Sequence, residues 1–325
     1  MRTAWIFPGQ GSQYPGMGRE LSVAWAPARR FWDVAESLSG LAVRELSWHG
    51  PASELRRPRV LEPALLAVSL AHADRLQAHG ARPQLVAGYS AGELAALCIA
   101  GVLDVEAAFE IAVLRGQILE EAAGAVPSRM VAISDLPAFV SHALVAASAA
   151  PDDIAVAGWN APDHVTISGR ESLVREVERR AIQLGSEVAE VDVAGPWHCE
   201  LARGASQRIA AALRHVRFQA PHVTFFASAI GDPVWDPNEI RELFAAQIRK
   251  PVLWYRTVTQ LLLHGAADFL EVGPGRFATV LLRRVLASST RSVRAVERRG
   301  GALARVASPR SRPEQPNLAH TGEIA

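Results

Sequence analysis

The chain has 325 residues, 49% apolar and 21% charged, ordinary proportions for a globular enzyme able to bury a large core. With 34 basic and 33 acidic residues its net charge is +1, so nothing global points to nucleic acid or an anionic membrane. Two cysteines, Cys98 and Cys199, cannot build a disulfide framework and lack metal-site spacing; with neither a signal-peptide core nor a membrane-length apolar run, a reducing cytoplasm is the expected location.

Thr3 to Phe7 reads as a short buried strand, ended by the turn-forming run Pro8-Gly9-Gln10-Gly11-Ser12. Helical patterning continues to about residue 125, interrupted by a second apolar strand, Leu85-Val86-Ala87. Strand, loop, helix, strand, helix predicts an α/β fold with a parallel sheet covered on both faces. From about residue 126 the rhythm changes. Arg129 to Ser134 reads as a strand, Leu136 to Ala147 as a helix, and Ile154 to Gly158 and His164 to Ser168 as strands joined across Asn160-Ala161-Pro162. An amphipathic helix from Glu171 to Leu184 and a strand from Glu187 to Val193 complete the segment. The order β-α-β-β-α-β is that of a ferredoxin-like unit, so 126–195 is expected as an insertion in a main domain made of 1–125 and 196–290. The main domain resumes with strands at Val223 to Ala227 and Asp268 to Val272; 291–325, ending in a stretch rich in Pro, Ser and Arg, is expected as a disordered tail.

Gly88-Tyr89-Ser90-Ala91-Gly92 is a G-x-S-x-G, a pattern common by chance. Here an apolar strand leads in and the helix-forming Glu93-Leu94-Ala95-Ala96-Leu97 leads out, the strand–turn–helix setting of a nucleophile elbow. Such a turn exposes the Ser90 hydroxyl at the sheet edge, above the positive end of a helix. Of ten histidines, His198 lies in a post-strand loop, Ala194-Gly195-Pro196-Trp197-His198-Cys199, where catalytic residues of open α/β sheets gather; a structural role fits its position equally well. Arg115 falls on the apolar stripe Ala108, Ile111, Leu119, Ala122 of a helix capped by Asp104. A guanidinium there requires an anion: a protein carboxylate such as Glu110 or Glu120, or a substrate carboxylate held bidentately.

Taken together, these segments resemble the malonyl-CoA:acyl carrier protein transacylase family of fatty-acid and polyketide synthesis. The resemblance rests on Phe7-Pro8-Gly9-Gln10-Gly11-Ser12-Gln13 with Gly16-Met17-Gly18, on Gly88-Tyr89-Ser90-Ala91-Gly92-Glu93, and on Arg115-Gly116. It continues through Asn160-Ala161-Pro162, Ile167-Ser168-Gly169, Gly195-Pro196-Trp197-His198, Pro251-Val252-Leu253-Trp254 and Glu271-Val272-Gly273-Pro274-Gly275. It implies an α/β-hydrolase-like core with a ferredoxin-like insertion. It also implies a ping-pong reaction in which Ser90 attacks an acyl-CoA thioester and His198 serves as base and then acid. Backbone N–H groups of Gln10 and Ala91 would form the oxyanion hole, Arg115 would hold the free carboxylate of a malonyl unit, and Gln247 would support the site. The implied donor is acyl-CoA and the partner a phosphopantetheinylated acyl carrier protein, with no bound cofactor and no metal. The basic pairs Arg249-Lys250 and Arg283-Arg284 are candidate contacts for that acidic partner.

Two residues depart from the family pattern. Tyr89 stands where His is usual, and Trp197 stands where Phe is common in malonyl-selective members; both are expected to shape the acyl pocket, and the bulk of Trp197 favours malonyl over methylmalonyl. Two other readings stand beside it: a hydrolase that clears acyl groups from carrier proteins with the same nucleophile and base, and a docking module without catalysis, against which the intact Ser90, His198 and Arg115 argue.

Overall fold

The computed structural model describes residues 2–297, apart from Ala149, Pro151 and Ser288. Among them ten strands form two sheets: β1 (Arg2–Phe7), β2 (Leu85–Gly88), β3 (Ser128–Ser134), β4 (Ile154–Ala161), β5 (His164–Arg170), β6 (Glu187–Glu190), β7 (Thr224–Ala227), β8 (Asp232–Val234), β9 (Ala266–Glu271) and β10 (Ser292–Ala295).

The larger sheet has the order β10-β9-β1-β2-β7-β8 and is parallel except for β8 at its edge. Ala4 to Phe7 and Leu85 to Ala87 are fully buried, as the continuous apolar runs of central parallel strands require. Their side chains alternate between two cores. Trp5, Phe7 and Val86 join the core that includes the helix Pro58–Ala78, while Ala4, Ile6, Leu85 and Ala87 join the one beneath the helices Trp254–Leu263 and Phe277–Val285. The helix Pro58–Ala78 is buried almost all round, packed among the helices Arg29–Ser39 and Val105–Ala122.

The second sheet is antiparallel, ordered β4-β5-β3-β6, with the helices Ala138–Ala146 and Glu171–Gln183 packed on it around Val131, Ile133, Val165, Ile167 and Val174. β4 continues through Asn160 and Ala161, which were expected in the connecting loop, because Asn160 is buried and hydrogen-bonded to the main body. β4 is also stitched to the main body by Trp159 N–H to Val252 O and Val252 N–H to Ala157 O, both 2.9 Å. β6 stops at Glu190, short of the expected Val193.

The expected tail does not begin at residue 291. Ser292–Ala295 adds a parallel edge strand beside β9, Arg294 pairs with Asp268 at 2.6 Å, and the buried Glu297 carboxylate accepts the Gly18 N–H at 3.2 Å. Four alternating residues are too short a pattern to register as a strand; pairing with β9 supplies what local propensity does not. Residues 298–325, and the expectation for them, lie outside the described residues.

Candidate active site

β1 and β2 run parallel with Phe7 opposite Gly88, so the loops following both strands leave the sheet side by side. After Gly88 the chain turns sharply: Ser90 sits at φ 50°, a left-handed conformation that costs a non-glycine residue about 1–2 kcal/mol. The turn is possible only with glycine on either side. A Cβ at Gly92 would collide with the carbonyls of Phe7 and Pro8, and one at Gly88 with the backbone of Gly92 and Glu93. The short turn Ser90–Gly92 then feeds the helix Glu93–Ala100. Among the described residues, the backbone N–H groups of Gln10 and Ala91 have no hydrogen-bond acceptor.

His198 arrives from the loop after β6 and is also left-handed, at φ 61°. Its backbone N–H donates to Ile248 O at 2.6 Å. Its Nδ1 lies 3.0 Å from Gln247 O and 2.9 Å from Lys250 O. Two carbonyls can only accept, so Nδ1 carries the proton and Nε2 presents a lone pair. That lone pair faces Ser90 Oγ at 2.7 Å. Burial pushes the imidazole down to about 4; the two carbonyls oppose this and the nearby Arg115 charge adds to it. At neutral pH the ring is therefore an unprotonated base beside a hydroxyl, oriented without a carboxylate.

Gln247 ties the site together from below. Its amide Nε2 donates to Ser90 O at 3.1 Å and to Ser228 Oγ at 3.3 Å, and its Oε1 accepts from Arg115 Nη2 at 3.3 Å. Glu93, buried, accepts from the backbone N–H of Ser228 at 3.0 Å and from its hydroxyl. Arg115 is buried on the stripe expected for it, and its anion is Glu62, from the helix Pro58–Ala78.

A match to the family described as acyl transferase domain spans residues 4–320. The chain belongs to that family. A malonyl CoA-acyl carrier protein transacylase of Escherichia coli O157:H7 is 30% identical over 291 residues, covering 89% of this chain and 94% of that one. A malonyl-CoA:acyl carrier protein transacylase from Xanthomonas oryzae superimposes with a TM-score of 0.87 at 29% identity, covering 92% of this chain and 96% of that one. A type II polyketide synthase acyl-carrier protein in complex with its malonyl-transacylase gives 0.85 at 29% identity, over 91% and 95% of the two chains. The resemblance carried by the motifs is thus borne out.

Within this acyltransferase, Ser90, His198, Gln10, Tyr89 and Trp197 all line one cleft of about 880 Å³. Tyr89 packs edge-on against Phe277 and Trp254, with ring centroids 4.9 and 5.5 Å away, and its hydroxyl donates to Asn160 Oδ1 at 2.9 Å. Trp197 folds its ring back over Gly195 while still walling the cleft. Gln247 and Arg115 lie behind the dyad, outside the cleft wall. Of the candidate docking pairs, Arg284 is held by Asp163 at 2.9 Å and by Asp135, and Arg249 lies 3.3 Å from Glu200.

The anion of Arg115 is thus Glu62, not the Glu110 or Glu120 expected from the helix stripe. Glu120 is engaged outside, with Arg57 at 2.6 Å. A signal for Glu62 was present: it is the only acid between Glu54 and Asp74, in a run apolar enough to be core. A lone carboxylate there demands a buried cation. Among the described residues no cluster of side chains has metal-ligand character, and no helix is long and apolar enough to cross a membrane.

Proposed function

We propose that this acyltransferase moves a malonyl group from coenzyme A to the phosphopantetheine thiol of an acyl carrier protein through an acyl-Ser90 intermediate. The observation that carries this reading is the 2.7 Å contact between Ser90 Oγ and a His198 Nε2 whose other nitrogen is pinned by two carbonyls. Family membership and the names of the transacylase relatives supply the donor and acceptor.

In the first half-reaction Oγ attacks the thioester carbon as its proton passes to His198 Nε2; the C–S bond then breaks and the sulfur leaves with that proton. In the second half the carrier thiol gives its proton to the same nitrogen, attacks the acyl ester, and Ser90 recovers its hydroxyl. The free N–H groups of Gln10 and Ala91 stabilise the oxyanion in both halves, each worth about 3–4 kcal/mol. Gln247 acts as a positioning residue: its carbonyl orients the imidazole and its amide holds the Ser90 carbonyl. Arg115, one hydrogen bond behind, anchors the malonyl carboxylate by exchanging a present partner for it. Tyr89 and Trp197 bound the acyl pocket, and the bulk of Trp197 favours malonyl over methylmalonyl.

The larger sheet, with its strand–turn–helix at Ser90, is read as an α/β-hydrolase-like core made of 1–125 and 196–290. The β4-β5-β3-β6 sheet with two helices is read as a ferredoxin-like insertion over 126–195, supported by its strand order.

Partition of the intermediate tests transfer against hydrolysis. The malonylated protein is isolated and offered a phosphopantetheinylated carrier protein, with carrier loading and free malonate both followed by mass. Loading faster than malonate release is expected; malonate release unaffected by carrier would make the protein a hydrolase.

A further inference from the structure

Arg115 is not a free guanidinium awaiting an anion. It lies in the helix Val105–Ala122, pressed against the start of the helix Pro58–Ala78. The next residue, Gly116, makes that approach possible, since a Cβ there would stand 2.7 Å from Pro58 O and 2.9 Å from Arg59 Cα. The close crossing sets Glu62, one turn further along, against Arg115. Glu62 Oε2 accepts from Nη1, and both side chains are at least 94% buried, with exposures of 6% and 3%. With Glu62 ionised, the pair is electrically neutral. A malonyl group reaching for Arg115 brings a second carboxylate to a buried cation that already has one.

Two like charges cannot share one buried guanidinium without a large penalty. Here a proton is the cheaper remedy. The other groups around the pair do not remove the conflict. Glu93, on the helix Glu93–Ala100, is a further buried acid within electrostatic reach of Arg115, and Gln247 is neutral. His198, also within reach, is unprotonated near neutral pH. Arg57, just before the helix of Glu62, and Arg59, on it, are turned to Glu120 at the surface, and Asp74 to Arg30. From neighbouring helices, Arg44 pairs with Asp33 and Glu36, His49 with Glu45, and Glu54 with Arg57. Burial raises the affinity of Glu62 for a proton, and Arg115 opposes this.

We propose that Glu62 is the specificity-determining residue of the acyl cleft: a carboxylated acyl group reaches Arg115 only as Glu62 takes up a proton and releases the guanidinium. This rests on Arg115 being the carboxylate anchor. Acylation alone is proton-neutral, because the Ser90 hydroxyl proton leaves on the coenzyme A sulfur as the Oγ–acyl bond forms and the C–S bond breaks. Malonyl loading therefore consumes one extra proton that acetyl loading does not.

The wild-type protein tests this directly. In weakly buffered solution at about pH 8, one turnover with malonyl-CoA takes up roughly one proton per acyl-enzyme, after correction for the thiol ionisation of an equal amount of free coenzyme A. Above the Glu62 titration, kcat/KM for malonyl-CoA falls about tenfold per pH unit relative to acetyl-CoA. Glu62→Gln removes both effects and raises the malonyl-to-acetyl ratio at least about tenfold at pH 8. No proton uptake, with an unchanged ratio and pH profile in Glu62→Gln, overturns the inference. Arg115→Ala separates the two layers. If it leaves the malonyl-to-acetyl ratio unchanged, the anchor itself fails and the inference with it; if it collapses the ratio while Glu62→Gln and proton uptake show nothing, only the role of Glu62 fails.

Discussion

His198 illustrates how one residue is set for its task by packing and main-chain contacts. Two carbonyls hold the proton on Nδ1, and burial keeps Nε2 unprotonated down to about pH 4. For an uncharged acyl thioester, the Ser90 acylation rate is therefore expected to stay level from about pH 8 to 5 and to fall only near 4; a fall centred on the ordinary histidine value of 6.5 would contradict the assignment. The same depression bears on stability. The folded imidazole binds a proton less readily than the unfolded one, so its contribution is complete above about 6.5 and is lost as pH drops towards 4. Arg115 and Glu62 show the opposite case: a helix stripe revealed that a charge was buried, but the partner came from a helix 53 residues away in sequence.

At the scale of elements, the turn between β2 and the helix Glu93–Ala100 was legible because everything it needs is local: apolar strand, paired glycines, helix former. The loop carrying His198 was legible from position as a strand-end loop, and only the family resemblance made His198 a base, since its defining carbonyls, Gln247 and Lys250, are about fifty residues on. The pattern places Asn160 in a loop because its role lies in contact with Tyr89, just beyond the end of β2. Tyr89→Phe leaves Asn160 Oδ1 buried without that donor and should cost about 1–3 kcal/mol in denaturant unfolding. An unchanged midpoint would mean that the bond from the turn after β2 to β4 contributes nothing.

For the whole molecule, the order of the main strands was readable from hydrophobic period, and with it the change of pattern near residue 126. The ends of β4 and β6 and the existence of β8 and β10 were not, because they depend on pairing partners rather than on pattern. β10 closes one edge of the parallel sheet, and Glu297 fastens the chain to Gly18 near the cleft loop. Truncation after Arg291 is expected to lower the thermal midpoint by several degrees, by exposing the edge of β9 and removing that tie. Retention of the full midpoint would show that the parallel core is complete without β10.

Everything in this mechanism depends on Ser90 carrying the acyl group. Intact mass after brief exposure to malonyl-CoA, followed by peptide mapping, is the direct measurement. One malonyl adduct is expected on the peptide containing Ser90, absent from a folded Ser90→Ala variant. An adduct that persists in Ser90→Ala, or maps elsewhere, would contradict it.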